Sequence, residues 1–175
     1  KNGTVKAKYR RKHANELAQY KSNLYYGGAY FIKNKDYQRA YSFFDLYLRF
    51  NTLPLFADAG YAEKDRMTIK AAYWATYCAY KQNDMEQVPL RATLALEEKE
   101  KKVYTLQYLA EAYQALGDSD NYLKFLNMGF EEYHHSPYFY PRLIDYYISR
   151  NQMNGALQVA DRALAMDSTS VLYLY

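Results

Sequence analysis

Apolar and small residues recur along the chain at the three- and four-residue spacings of helices, most clearly over Arg142–Asp167. Ile144 and Tyr147 share a face of one segment, a polar turn follows at Asn151–Asn154, and Ala156, Ala160 and Ala163 form a small-residue stripe on the next. Small side chains let two helix backbones cross closely, so this stretch predicts a helical hairpin. One hairpin cannot bury its own apolar faces and needs neighbours of the same kind. Clean period-two alternation is scarce, which argues against strands, and no run approaches the roughly 18 apolar residues of a membrane span.

The same offsets appear upstream. Ile144, Tyr147, Ala156, Ala160 and Ala163 correspond to Ala110, Tyr113, Tyr122, Leu126 and Gly129, then to Thr76, Ala79, Val88, Ala92 and Ala95. A further copy holds Gly28, Phe31, Ala40, Phe44 and Tyr47. Four copies therefore follow one another, the first separated from the second by a longer step and the last three evenly spaced. Turn residues fall in register too, at Asn34-Lys35-Asp36, Asn83-Asp84, Gly117-Asp118 and Asn151-Gln152. Gly and Asn suit a helix C-terminus, and Asp or Asn caps the helix that follows.

Composition adds one unusual feature, 23 tyrosines in 175 residues. A phenol ring packs in a core with its hydroxyl wet, or lines a binding surface. Charge is uneven: residues 1–21 hold seven Lys/Arg against Glu16, a balance of +6, and residues 22–175 hold 16 against 18 acids, a balance of −2. The basic patch around Arg10-Arg11-Lys12-His13 is confined to an amphipathic helix expected over about Val5–Tyr20. Nucleic-acid modules spread charge over a face, so this patch is read as a solvated helix face and no nucleic-acid partner is expected. The lone Cys78 rules out an internal disulfide framework and reads as a small buried residue.

Searching for chemistry yields little. No phosphate-binding glycine loop, dinucleotide fingerprint, H-E-x-x-H or C-x-x-C is present. Gly117-Asp118-Ser119-Asp120-Asn121 departs from G-x-S-x-G at its last position and reads as a turn, and Gly129 stands where a calcium loop needs its bidentate acid. Glu131 and His135, with His134 beside them, lie one helical turn apart, but a helix end whose dipole favours histidine is the plainer reading. No catalytic residue, metal or cofactor is therefore expected.

The even spacing resembles the tetratricopeptide repeat family, whose helix–turn–helix unit is about 34 residues long. The resemblance rests on Leu143, Tyr147, Ala156, Ala160 and Ala163-Leu164 in the last copy, and on Leu24, Gly28, Tyr37, Ala40 and Phe44 in the first. In the third copy Tyr122 replaces the usual small residue, which predicts a shifted or longer second helix. The second copy lacks the aromatic and carries Pro89, and Asp167-Ser168 stands where a closing proline is usual. The resemblance covers residues 21–168 and implies an all-α fold, a right-handed superhelical solenoid of antiparallel helix pairs. It divides the chain into an N-terminal basic amphipathic helix at 1–20, hairpins at about 21–54, 69–102, 103–136 and 137–168, an insertion at 51–65, and the start of a further or capping helix at 169–175. Pro54 and Gly60 make the insertion irregular, a spacer on which Leu53, Leu55 and Phe56 fold back. The run Gly129–Tyr133 through Ser136–Phe139 is similar to bacterial members, many exported, which favours the periplasm or cell envelope over the cytoplasm.

In such arrays the first helix of each pair lines a concave face, at positions three before, one after and four after the small residue. The resemblance thus points to Tyr25, Ala29 and Ile32; Tyr73, Tyr77 and Tyr80; Gln107, Glu111 and Gln114; Pro141, Asp145 and Ile148. Tyr104 and Tyr138 start their helices on a similar side, with Lys33 and Lys81 near the aromatic middle. The ligand-binding set is Tyr25, Lys33, Tyr73, Tyr77, Tyr80, Lys81, Tyr104 and Tyr138. The carboxylate clamp of some family members is not expected, because its positions hold Tyr25, Ala29, Trp74, Tyr104 and Tyr108. The expected function is non-catalytic binding of a protein or peptide. The alternatives are an accessory domain of a longer envelope protein or enzyme, and carbohydrate binding through the tyrosines. The chain opens Lys-Asn-Gly with no visible leader, which reads as a fragment or processed form. The apolar stub after Ser170 reads as continuation of a parent chain or a surface for self-association.

Overall fold

A computed structural model describes residues 10–56, 66–170 and 173. Among them there are nine α-helices, one 3-10 turn and no strand. The helices are α1 (Arg10–Ala18), α2 (Lys21–Lys33), α3 (Tyr37–Arg49), α4 (Arg66–Lys81), α5 (Val88–Ala95), α6 (Lys102–Ala115), α7 (Ser119–Glu132), α8 (Phe139–Ile148) and α9 (Met153–Met166), with the 3-10 turn at Phe50–Thr52. From α2 onward they pack in consecutive pairs, α2 on α3, α4 on α5, α6 on α7 and α8 on α9, and each pair packs on the next. None is long and apolar enough to cross a membrane.

One backbone device closes all four pairs. A helix leaves its last carbonyls without partners, and a residue in the left-handed region lets two later amides turn back to them. Here the amides of Asp36, Asp84, Asp118 and Gln152 reach the carbonyls of Phe31, Ala79, Tyr113 and Tyr147 at 2.9, 3.0, 2.9 and 2.9 Å. The left-handed residues are Lys35, Asn83, Gly117 and Asn151, with φ of 59, 59, 75 and 56°. They recur as the sequence pattern does, with a longer step after Lys35 and an even spacing from Asn83 to Asn151. In two of the turns the aspartate also caps the next helix, Asp36 accepting from the Arg39 amide at 3.1 Å and Asp118 from Asn121 at 3.0 Å, while Asp84 accepts from the Gln87 amide at 3.3 Å in the turn that precedes α5.

That shared turn fixes which residues meet. Ala40, Val88, Tyr122 and Ala156 are buried in register, and so are Tyr47, Ala95, Gly129 and Ala163. Gly28 lies so close to Phe44 that a Cβ would come within 2.7 Å of its ring. Between pairs, Gly129 faces the ring of Phe139 at a distance that leaves a Cβ no room. Tyr122 neither shifts nor lengthens α7, contrary to expectation, because its buried ring is accommodated toward Tyr146 of α8 at 5.9 Å. Pro89 sits in the first turn of α5, where its missing N–H is harmless.

The ends differ in part from expectation. Of the N-terminal helix, Val5–Tyr9 lies outside the described residues. In α1 Ala14 is buried, whereas Leu17, and Tyr20 in the turn that follows, both expected on the apolar face, are 47 % and 56 % exposed. Ala14 packs with Phe50 and Phe56, whose rings stack at 4.0 Å, and Leu53 and Leu55 lie against this cluster. Residues 57–65 of the insertion lie outside the described set. Lys12 pairs with Glu16 at 3.8 Å, both exposed. Of the C-terminal stub, Tyr173 is buried in its own chain against Phe130 and Tyr140, and its hydroxyl donates to the His134 carbonyl, so this ring is not free for another molecule.

Two substitutions test this account. Gly129→Ala forces Phe139 out of its rotamer or the helices apart, with an expected loss of about 1–3 kcal/mol in urea unfolding. Lys35→Gly relieves a left-handed lysine and raises stability by about 0.5–1 kcal/mol, whereas Asn83→Gly changes less because asparagine tolerates this region.

Candidate functional site

Tyrosines from consecutive first helices meet along one ridge. Along α4, Tyr73, Tyr77 and Tyr80 follow at four and three residues and so share a face, and the Tyr73 and Tyr77 rings stand 6.5 Å apart. Tyr108 of α6 carries the ridge onward, 6.2 Å from Tyr77 and stacked on Tyr80 at 4.4 Å. Tyr80 donates its hydroxyl to Glu111 at 2.6 Å. From the start of α8, Tyr138 donates to the Gln107 carbonyl at 3.4 Å, and the Arg142 guanidinium lies 3.8 Å from the Tyr138 ring centre. A guanidinium held over a ring face is drawn to the ring's negative quadrupole. The ridge therefore runs from α4 to Tyr108 of α6 by ring contact, and reaches Tyr138 at the start of α8 through the Gln107 carbonyl.

The hydroxyls are held neutral. The hydrogen bond to Glu111, then burial, pushes Tyr80 up to about 12. Burial, then the hydrogen bond with Tyr37, brings Tyr77 to about 12. Burial also raises Tyr108 and Tyr138, with neighbouring Tyr73 adding to the first and Glu111 to the second. Near neutral pH these phenols are hydrogen-bond donors. Cys78, buried in α4 behind the ridge, is pushed up to about 12 by burial and stays a thiol.

The expected set divides on this geometry. Tyr77, Tyr80 and Tyr138 join in the ridge half-buried, whereas Tyr73 is only 5 % exposed and packs more than it presents. Tyr104 is 44 % exposed, with the Lys101 ammonium 5.7 Å from its ring, and Lys81 lies 5.5 Å from Tyr77. Tyr25 packs edge-on against Phe44 at 5.5 Å and Tyr47 at 5.9 Å, and takes a hydrogen bond from Trp74. Lys33 is exposed in the last turn of α2. Tyr108 and Arg142 belong to the ridge but fall outside the expected offsets. A cation four residues after Tyr138 on one helix was the available signal for Arg142.

Beside the ridge lies a cavity of about 240 Å³ between α2, α4 and the α5–α6 connection, lined by Tyr25, Lys70, Tyr73, Trp74, Glu98, Glu100 and Lys101. Tyr73 belongs to both cavity and ridge. A second cleft of about 330 Å³ lies among α3, α4 and α5; Arg91 on its wall pairs with Asp45, which also pairs with Arg49. Among the described residues no group of three or more His, Cys, Asp or Glu is placed to hold a metal ion. Glu131 pairs with Arg162 at 2.9 Å, while the His134 and His135 rings stand 4.0 Å apart.

In comparisons with known proteins, no family model matches the chain and no curated protein matches it.

The shifted phenols carry a sign that can be checked. A group that binds its proton more tightly when folded stabilises the fold fully below its unfolded pKa of about 10 and loses that contribution as pH rises toward the folded value. Urea midpoints are expected to fall between about pH 10 and 12, with native tyrosinate absorbance lagging the unfolded chain over this window. Coincident titration of native and unfolded tyrosines would contradict the burial described. Cys78 is expected to resist a disulfide reagent in the native state and to react fully in denaturant.

Proposed function

We propose that the chain is a non-catalytic scaffold that binds a peptide or an extended protein segment. On this reading the four helix pairs form a tetratricopeptide-like, right-handed solenoid. The first helices line its concave face and the tyrosine ridge is the contact surface. The recurring left-handed turns at Lys35, Asn83, Gly117 and Asn151 support the repeat reading, as does the register of buried positions. One observation carries the functional part. Half-exposed Tyr77 and Tyr80 of one first helix adjoin Tyr108 of the next, and half-exposed Tyr138, at the start of the third, reaches that same helix through the Gln107 carbonyl, with Glu111 and Arg142 among them.

The physical argument is preorganisation. Aromatic rings supply large contact area with few torsions to freeze, and these rings are already fixed by neighbours on adjacent helices. Hydroxyls and the Glu111–Arg142 charges supply orientation, while the rings supply area. An extended segment crossing the pairs would meet one ring set after another, which suits recognition by spaced side chains.

Selection of random peptides on immobilised protein, followed by affinity measurement on variants, tests the proposal. Tyr77→Ala and Tyr104→Ala are each expected to weaken selected peptides by about 10- to 100-fold, with the helical circular-dichroism signal kept. Leu157→Ala, exposed on α9 away from the ridge, is expected to change nothing. Equal affinity for the tyrosine variants and the parent would overturn the proposal.

A further inference from the structure

We infer that the cavity formed by Tyr25, Tyr73, Trp74, Lys70, Glu98, Glu100 and Lys101 is the anchor pocket of the groove, and that it takes an aromatic side chain from a peptide segment carrying one acidic and one basic flanking residue. The inference rests on the peptide-binding reading and specifies its ligand.

Size is the first consideration. About 240 Å³ lies below the roughly 300–1,000 Å³ of sites for drug-sized ligands and matches a single large side chain. The walls come next. Tyr73 and Trp74 stand at 5.0 Å and 64° to one another, with Tyr25 bonded to Trp74, so three rings at differing tilts line one space. Rings in such arrangements accept a further aromatic ring edge-on or offset.

Charge then narrows the class. Lys70, Glu98, Glu100 and Lys101 surround the rings, and among the described residues none stands in an ion pair within 4.0 Å. Two ammoniums and two carboxylates thus line one half-buried space and leave each other unpaired. A purely cationic ligand gains from Glu98 and Glu100 and is opposed by Lys70 and Lys101, and a purely anionic one meets the reverse. A segment bearing one charge of each sign complements both sets, while its aromatic residue fills the space between them. Continuity with the ridge through Tyr73 places such an anchor where an extended peptide continues toward Tyr77 and Tyr108.

The test uses the only tryptophan of the chain, Trp74, as reporter. The full chain is titrated with capped pentapeptides Ser-Glu-Phe-Lys-Ser and Ser-Lys-Phe-Glu-Ser while Trp74 emission is followed. Controls replace Phe by Ala, both charges by Gln, or set both charges to one sign. At least one mixed-charge peptide is expected to shift the emission saturably, at least ten-fold more tightly than every control. Lys70→Ala and Glu98→Ala, both surface changes, are each expected to weaken it several-fold with the helical signal intact. Equal binding of same-sign peptides, no emission change with either mixed peptide, or an equal response to glucose would overturn the inference. If selected peptides depend on Tyr77 and Tyr104 yet leave Trp74 emission unmoved, the pocket assignment falls and the groove stands. If none depends on those tyrosines, the groove reading falls.

Discussion

The backbone turn that closes each helix pair is the constraint from which the rest follows. A helix must satisfy its last carbonyls, and the 6→1 bond that does so demands a residue in the left-handed region. Three of the four residues used are not glycine, so Lys35, Asn83 and Asn151 hold a conformation that costs an ordinary residue about 1–2 kcal/mol. The packing that follows offsets that cost. Once the turn is set, the second helix returns antiparallel in a fixed register, and Gly28 meets Phe44 while Gly155 meets Tyr147. Moving the turn by one residue would rotate the stripe by about 100° and bring polar positions onto these contacts.

The tyrosine ridge is a consequence of this stacking. α4 carries Tyr73, Tyr77 and Tyr80 at three before, one after and four after Thr76, and the packing of one pair on the next brings Tyr108 of α6, at a different offset, against Tyr77 and Tyr80. Tyrosine suits such a position because its body packs and its tip remains polar. Tyr80 shows both ends at once, stacked on Tyr108 and bonded to Glu111. Among the second helices α9 exposes the most apolar side chains. Met153, Leu157 and Leu164 lie along one side of it, exposed, where Phe130 of α7, the counterpart of Leu164, is buried with Phe139 and Tyr173.

Much of the fold was legible because a repeat writes its register several times. The turn residues, the small positions and the helix pairing could be read from spacing alone. What escaped depends on neighbours that no local pattern encodes. Tyr122 looks too large for its place, but its ring has an outlet toward Tyr146. Leu17 and Tyr20 fit an apolar helix face, yet the small Ala14 and Ala18 of α1 are what meet the Phe50–Phe56 stack. In the candidate site, offsets along one helix found Tyr77 and Tyr80. They missed Tyr108 and Arg142, whose roles arise from rings on other helices or at a helix start. Burial of Tyr73 behind Trp74 and Tyr108 was hidden for the same reason.

The central claim is that ligands are read by the ridge formed from the first helices. Backbone amide NMR of the chain, titrated with a peptide taken from selection, addresses it most directly. The account predicts the largest shift changes in α4, at the start of α6 and at the start of α8, around Tyr77, Tyr80, Tyr104 and Tyr138. Changes confined to α3, α7 and α9, with those first helices unmoved, would contradict it.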